Sequence, residues 1–174
     1  VLFSNNVLCG SGQNGQYELA NNSTTDSSFT ECTQFNEYAS SNSTQIVNFT
    51  CNSSNTIVFY DNNVVLGIGN NSSGEFGIGN NTDYNNVLKE NTGIMQKIQE
   101  GYTVNNIYYM NHGIIYQLIN TSGTYEYWSI GNNSYNGLGI NSNGTVYTSL
   151  TRSALLESLV NSFSDSQNIE IYSR

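Results

Sequence analysis

Short apolar runs separated by polar turns cover most of the chain, and they predict β-hairpins. The clearest hairpin joins residues 56–60 to residues 64–66 through a polar turn at 61–63. β-Branched and aromatic residues on both sides of an Asp/Asn turn are typical of paired antiparallel strands. The same pattern predicts hairpins around the turns Asn5-Asn6 and Ser122-Gly123.

Other apolar patterns predict the elements between these hairpins. Strands are expected at residues 45–51, 107–110 and 169–174. Residues 151–163 have apolar positions at helical spacing behind Thr151 as a candidate N-cap, which leaves a helix and a loop as alternatives. Residues 87–101 fit either a short helix or a strand pair, and residues 29–44 are polar and predict a loop.

A glycine-rich stretch follows the second hairpin and has counterparts elsewhere in the chain. In a gapless alignment Gly10, Gly69 and Gly131 coincide, which gives a period of about 60 residues. The sequence therefore predicts one domain, residues 1–174, made of three repeats with approximate bounds 1–55, 56–112 and 113–174. Residues 169–174 correspond to the strands that precede the second and third hairpins.

The second repeat resembles the repeats of the regulator of chromosome condensation (RCC1) family, whose signature follows a hairpin and reads G-x-N-x-x-G-[QE]-[LF]-G-x-G. In the third repeat Asn136 and Asn141 replace glycines, and in the first repeat Glu18 and Ala20 do not fit. The resemblance implies an all-β fold of three four-stranded, propeller-like blades. It would be an incomplete propeller, completed or extended by other copies. The matching residues are Gly69, Asn71, Gly74, Glu75, Phe76, Gly77 and Gly79 in the second repeat, Trp128, Gly131, Asn133, Leu138 and Gly139 in the third, and Gly10, Gly15, Gln16 and Tyr17 in the first.

Charge and composition exclude several functions. Four basic residues stand against thirteen acidic ones, a net charge of −9, so we expect no binding to nucleic acid. The chain has no run of 18 apolar residues, so we expect no membrane insertion. The single histidine, His112, has no local partners for a catalytic triad or a metal site, and we assign it to a turn. We therefore expect a non-enzymatic protein without catalytic residues, cofactor or metal.

Sequons and cysteines favour an extracellular or cell-surface location. Asn-x-Ser/Thr sequons are more frequent than composition predicts, and several fall at equivalent positions in polar turns. In an oxidising compartment Cys32 and Cys51 are the expected disulfide, with Cys9 left over, whereas free buried thiols are the alternative. The predicted glycosylation sites are Asn21, Asn22, Asn42, Asn52, Asn70, Asn71, Asn80, Asn120, Asn132 and Asn143, and Asn48 is a further sequon inside a predicted strand. The chain opens in a strand at Val1, so we expect either a processed leader or a piece of a longer protein.

Three hypotheses for function follow. The first is a secreted, N-glycosylated structural protein that associates head-to-tail with other copies of itself into an extracellular filament or coat. The second is a propeller module of the adhesion or inhibitor type that binds an extracellular protein or a carbohydrate ligand. The third, an intracellular guanine-nucleotide exchange factor, is disfavoured because no basic surface is encoded. The residues predicted to self-associate are Val1, Leu2, Phe3, Ile169, Ile171 and Tyr172.

Overall fold

We describe the fold from a computed structural model, which covers residues 1–52, 54–82, 84–110, 112–134, 136–140 and 145–162. The predicted strand at 169–174 lies outside these residues. The elements in chain order are β1 (Cys9–Gly12), β2 (Ser27–Glu31), α1 (Thr33–Ser41), β3 (Ile46–Cys51), β4 (Asn55–Tyr60), β5 (Val65–Gly69), β6 (Tyr84–Glu90), α2 (Thr92–Gln99), β7 (Thr103–Met110), β8 (Gly113–Ile119), β9 (Tyr125–Asn132), β10 (Val146–Arg152) and α3 (Ala154–Val160).

The strands form three antiparallel sheets, which confirms the all-β, propeller-like fold. Two of the sheets have four strands each, in the orders β3-β4-β5-β6 and β7-β8-β9-β10. Within the described residues the first sheet has only β1 and β2, extended by an isolated bridge between Leu2 and Leu8. The first blade is thus smaller than the four-stranded blade that the resemblance implies.

The predicted hairpins are confirmed by their turn geometry. In the second hairpin the Tyr60 N–H donates to the Val64 carbonyl at 2.9 Å, and Asn63 has φ 68°. Asparagine tolerates this left-handed backbone better than most residues, which explains the polar turn. The third hairpin closes in the same way, with the Asn120 N–H donating to the Thr124 carbonyl at 3.0 Å.

Sheet boundaries do not coincide with repeat boundaries. Strand β3 belongs to the first repeat but pairs with β4 of the second, with Phe49 opposite Val58. Strand β7 of the second repeat likewise pairs with β8 of the third, with Tyr108 opposite Ile115. Each four-stranded sheet therefore takes its first strand from the preceding repeat.

The chain divides into two compact units. The first unit contains residues 1–71 and 82–91, and the second contains residues 72–81 and 92–174. The single three-repeat domain stays a prediction. The core of the first unit includes Leu8, Phe35, Ala39, Val58, Tyr60 and Ile68, and the core of the second includes Tyr108, Ile115, Tyr127, Leu138, Ile140 and Val160.

Helix α1 replaces the loop that the polar sequence of residues 29–44 predicts, so that prediction is wrong. Phe35 and Ala39 lie one helical turn apart and are 0% and 3% exposed, which gives the helix its buried side. The side chain of Asn36 pairs with the backbone of Leu8, accepting from its N–H at 2.9 Å and donating to its carbonyl at 3.0 Å. A polar helical residue here satisfies backbone groups of the first sheet, and this role cannot be inferred from local hydrophobicity.

The two remaining helices resolve the alternatives left by the sequence. Residues 87–101 contain the end of β6 followed by α2, and residues 154–160 form α3. Ser153 rather than Thr151 is the N-cap residue of α3, because Thr151 belongs to β10. In each repeat a backbone hydrogen bond joins the start of the helix to the glycine-motif turn, from the N–H of Gln34, Gly93 and Leu155 to the carbonyls of Ala20, Gly77 and Gly139 at 2.8, 3.2 and 3.2 Å.

The structure corrects the alignment of the first repeat by two positions. The Leu19 N–H donates to the side-chain oxygen of Asn14 at 2.9 Å, as the Leu138 N–H does to that of Asn133 at 3.1 Å. Asn14 and Asn133 are both buried, at 0% and 2% exposure. Asn14 is therefore the motif asparagine of the first repeat, and Gly12, with φ 116°, rather than Gly10 corresponds to Gly69 and Gly131, with φ 105° and 108°.

The motif glutamate follows the same correction. The Glu18 carboxylate accepts from the Gln16 N–H at 2.8 Å, as the Glu75 carboxylate accepts from the Ser73 N–H at 3.1 Å. Glu18 does not fit the motif in the gapless alignment, yet it occupies the position of Glu75. Both carboxylates close the turn that carries the glycine motif.

Candidate functional site

The only tryptophan of the chain lies on β9 in the second unit. Alternate residues of a strand share a face, so Glu126 and Trp128 project to one side and Tyr127 to the other. Tyr127 is 1% exposed and belongs to the core. Trp128 is partly buried, and its indole Nε1–H donates to Glu126 Oε2 at 3.0 Å.

Glu126 is a buried carboxylate that gathers donors from several elements. Its Oε2 also accepts from the Tyr102 hydroxyl at 3.1 Å, and its Oε1 accepts from the Asn120 amide at 3.0 Å. A guanidinium nitrogen of Arg152 lies 3.8 Å from Oε1. Burial by itself raises the pKa of Glu126, but these hydrogen bonds and the Arg152 charge outweigh it and hold the pKa below its ordinary value. Glu126 therefore stays ionised and fixes the orientation of its neighbours.

A lysine covers the tryptophan ring. The Lys97 ammonium, from the last turn of α2, lies 4.0 Å from the centre of the Trp128 ring and 5.0 Å from that of Tyr102. It also forms an ion pair with Glu100 at 2.7 Å. Cation–π contacts at this distance stabilise both groups by about 0.5–1 kcal/mol at partly exposed positions.

Arg152 forms the far side of this cluster. Its Nε donates to both carboxylate oxygens of Glu157 on α3, at 2.9 and 3.0 Å. Glu157 in turn accepts from the Tyr127 N–H at 3.0 Å, which ties the ion pair to the backbone of β9. The Arg152 side chain is still 53% exposed. We call Lys97, Tyr102, Glu126, Trp128 and Arg152 the Trp128 cluster.

A groove of about 410 Å³ adjoins the Trp128 cluster within the second unit. Tryptophan, tyrosine and arginine are the residues most enriched where binding energy concentrates in protein interfaces. Side chains already held by hydrogen bonds lose little further entropy on binding. The arrangement is suited to contact with a protein surface. The groove is lined by Gly77, Gly79, Gln96, Lys97, Trp128 and Leu150, among others.

The sequence pattern indicates only part of the cluster. Trp128 matches the family motif, whereas Lys97, Glu126 and Arg152 belong to no motif in the sequence. One signal was present, because Glu126 and Trp128 alternate on a predicted strand and must share a face. Lys97 and Arg152 come from other elements, and only the packing of those elements brings them to Trp128.

The predicted glycosylation sites are explained in part by turn chemistry. At four of them the asparagine side-chain oxygen accepts from the N–H of the serine two positions on, which is an Asx-turn. These pairs are Asn21–Ser23, Asn52–Ser54, Asn120–Ser122 and Asn132–Ser134, at 3.1, 2.8, 3.0 and 2.7 Å. The Asn-x-Ser pattern thus has a structural role that needs no glycan.

Accessibility differs among the sequons. Asn71 is 0% exposed, so its prediction as a glycan acceptor is wrong because the folded protein hides its side chain. Asn143 lies outside the described residues. Of the others, Asn22, Asn42, Asn48 and Asn80 are exposed, and Asn21, Asn52, Asn70, Asn120 and Asn132 are partly buried.

The predicted disulfide is not formed. Cys9, Cys32 and Cys51 are all free thiols, the first two buried and the third exposed. Cys32 directly precedes helix α1 inside the core cluster, whereas Cys51 ends β3 at the surface. The two thiols differ in exposure and no bond joins them, so the alternative of free thiols describes the structure.

The remaining predicted residues are placed as follows. His112 is exposed in a turn with φ 73°, and the part of the chain that the structure describes holds no cluster of three His, Cys, Asp or Glu suited to a metal ion. No helix among the described residues is long and apolar enough to span a membrane.

Of the residues predicted to self-associate, Val1 and Phe3 are exposed and Leu2 is partly buried, while Ile169, Ile171 and Tyr172 lie outside the described residues. Self-association stays a prediction.

Comparison with known proteins identifies the fold. No protein-family model matches the chain, and no curated protein does. Among solved structures it is similar to human WBSCR16, with a TM-score of 0.58 and 18% identity over 83% of this chain and 35% of that one. It is also similar to Prp20p from Saccharomyces cerevisiae, whose structure was described with its binding to Gsp1p and histones, with a TM-score of 0.61 and 14% identity over 84% and 34% of the two chains. A third similar structure is yeast RCC1 (Prp20) bound to Kap60, with a TM-score of 0.51 and 9% identity over 87% and 46%.

Two consequences follow from these similarities. The chain spans about a third of the length of the first two solved chains, 35% and 34%. These neighbours are intracellular proteins, which contradicts the prediction of a secreted, extracellular or cell-surface protein. That prediction depended on sequons, and four of those form Asx-turns. The structure and its neighbours together show that this chain has the RCC1-like β-propeller repeat fold.

Proposed function

We propose that the chain is a non-enzymatic, protein-binding propeller module and that the Trp128 cluster is its contact surface. One observation carries this proposal: the only tryptophan is partly exposed beside a groove and is held between the Lys97 ammonium and the buried Glu126 carboxylate. Prp20p, a protein of the same fold, was described with its binding to Gsp1p and histones, and yeast RCC1 was solved bound to Kap60. Those partners belong to those proteins. They support protein binding as a use of the fold.

The test is a comparison of three versions of the chain. Partners retained by the wild-type chain are identified by mass spectrometry, purified, and titrated against wild type, Trp128→Ala and Leu159→Ala. Leu159 is 58% exposed on α3, outside the Trp128 cluster, and serves as the control for truncation of an exposed apolar side chain. We expect Trp128→Ala to weaken binding at least tenfold, because truncating a central aromatic residue of an interface costs about 2 kcal/mol or more.

Two results would contradict the proposal. One is equal affinity of the partner for wild type, Trp128→Ala and Leu159→Ala. The other is the absence of any purified partner that binds wild type. Thermal melting of each variant tests whether a loss of affinity comes from unfolding. We expect a small change in the melting temperature of Trp128→Ala, because Trp128 is only partly buried.

Self-association is the second candidate function, and an apolar surface in the first unit favours it. Phe3 and Phe29 are 46% and 55% exposed, and their rings meet edge to face at 6.3 Å. Exposed aromatic pairs are common at protein contacts. In sedimentation velocity at rising concentration we expect larger species for wild type, fewer for Phe29→Lys, and no change for Val87→Lys, which adds the same charge at another exposed apolar residue. A monomer at every concentration would reject this candidate.

A further inference from the structure

A cavity of about 310 Å³ lies in the first unit, and its lining residues are distinct from those of the Trp128 cluster. Its walls include the buried Leu8 and Leu19 and the aromatic side chains of Phe29 and Phe49. The volume is at the lower end of the range for small-molecule sites, roughly 300–1,000 Å³. Apolar walls of this kind fit an aliphatic chain of a few carbons.

One carboxylate lines this apolar cavity. Glu18 is 4% exposed, and its Oε2 accepts from the Gln16 N–H at 2.8 Å. Its Oε1 is buried and has no hydrogen-bond partner among the described residues. Burial of a carboxylate oxygen without a donor is unfavourable, because the oxygen loses its hydrogen bonds to water and gains none from the protein. The turn of the glycine motif binds Glu18 through Oε2, as the corresponding turn binds Glu75 in the next repeat.

We propose that this cavity binds an alkylammonium group, with the ammonium on Glu18 and the aliphatic stem on Leu8, Leu19 and Phe49. An ammonium supplies the N–H donor that Oε1 lacks, and charge-assisted bonds of this kind are the stronger ones. Val1 also lines the cavity, but its α-ammonium donates to the Cys9 carbonyl at 2.7 Å. Ser11, Gln13 and Asn52 also line the cavity and offer further oxygen acceptors. The net charge of −9 attracts cations and repels anions at long range. The group can come from a free amine or from a lysine side chain of a partner protein.

The cavity contains its own reporter of occupancy. All three cysteines of the chain, Cys9, Cys32 and Cys51, line it. Burial raises the pKa of the Cys32 thiol to about 12, so this thiol stays protonated and unreactive at neutral pH. Cys51 is exposed and is the accessible thiol. A ligand in the cavity should therefore slow the modification of Cys51.

The first experiment uses the unmodified chain and needs no variant. The rate of Cys51 modification by N-ethylmaleimide is followed by mass spectrometry with rising n-pentylammonium, 1-pentanol or pentanoate. We expect n-pentylammonium to slow the reaction at least threefold at saturation, with a half-maximal concentration at least tenfold below that of the other two. Equal protection by 1-pentanol would overturn the proposal, and so would an unchanged rate with n-pentylammonium.

Two variants test the role of the carboxylate. Glu18→Gln keeps an oxygen for the Gln16 N–H and removes the charge, and we expect at least a tenfold loss of n-pentylammonium affinity by calorimetry. Glu31→Gln removes an equal charge from exposed β2 outside the cavity and should leave the affinity unchanged. Equal effects of the two substitutions would overturn the proposal, because they would show only a general electrostatic attraction.

A third arm distinguishes the two sources of the ammonium group. Acetyl-lysine-amide, acetylated only on its α-nitrogen, carries the same ammonium and stem on a peptide backbone. Binding of this compound as well as n-pentylammonium supports a lysine side chain as the ligand. Binding of n-pentylammonium alone supports a free amine, and binding of neither overturns the proposal.

Discussion

Replacement of Gly131 by alanine is expected to destabilise the second unit by about 3 kcal/mol or more. Gly131 has φ 108°, a conformation that residues with a side chain rarely adopt. A Cβ atom there would lie 2.4 Å from the His112 carbonyl oxygen and 2.5 Å from the Gly113 Cα. Both neighbours are backbone atoms of the adjoining strand and its turn, so the sheet itself must distort. For a chain of this size such a change lowers the melting temperature by roughly 6–12 °C.

Gly123→Ala is the matched control for this prediction. Gly123 also has a positive φ, 81°, but a Cβ atom there would meet nothing within 4 Å. Only the backbone cost remains, about 1 kcal/mol. Urea unfolding of both variants measures the difference directly. If Gly131→Ala is no less stable than Gly123→Ala, close approach of the strands is not what requires the glycine.

The same contact recurs in the second repeat and explains part of the glycine period. Gly69 has φ 105°, and its Cβ atom would lie 2.4 Å from the Ser54 carbonyl oxygen. Gly69 and Gly131 both lie opposite the first residue of the preceding strand, Asn55 and Gly113. The glycine repeat therefore records one close approach of strands in each four-stranded sheet.

Replacement of Phe35 by alanine is expected to cost about 3–5 kcal/mol. Phe35 is 0% exposed and packs in the core of the first unit with Leu8, Val58 and Ile68. Its carbonyl also accepts from the Tyr60 hydroxyl at 3.1 Å. Truncation leaves a cavity that the surrounding strands cannot fill without losing their register.

Phe29→Ala makes the same chemical change at a surface position. Phe29 is 55% exposed, so we expect a loss below about 1 kcal/mol. Urea unfolding of the two variants, followed by tyrosine fluorescence and circular dichroism, gives the comparison. Similar losses for both substitutions would mean that α1 does not contribute to the core as the structure places it.

Local chemistry made the hairpins and the glycine motif predictable. A turn such as Asp61–Asn63 is determined by a few neighbouring residues, which set the backbone angles and the hydrogen bonds across the turn. The glycine motif is similarly local, because Gly69 and Gly131 must each have a positive φ. Period and motif together were enough to identify the RCC1-like repeat, and the structure confirms that prediction.

Long-range packing decided what the sequence alone left open or predicted wrongly. Helix α1 was predicted as a loop because its polar residues include Asn36, whose partner is the backbone of Leu8, 28 positions away. The alignment of the first repeat is off by two residues because it pairs Gly10 rather than Gly12 with Gly69, and the shared hydrogen bonds of Asn14 and Asn133 show the correct pairing. The Cys32–Cys51 disulfide was predicted from the oxidising compartment that the sequons indicated, and the positions of the two thiols in the fold played no part in that prediction.

The functional surfaces were the least predictable part of the molecule. Glu126 and Trp128 share a strand face that the sequence pattern implies, and their pairing could have been foreseen. Lys97 and Arg152 reach Trp128 and Glu126 from helix α2 and strand β10. Side-chain clusters of this kind depend on how separate elements pack against each other. The sequence by itself determined the strands, turns and repeat, since each needs only neighbouring residues, and the tertiary structure decided the sheet partners, the buried polar groups and both candidate sites.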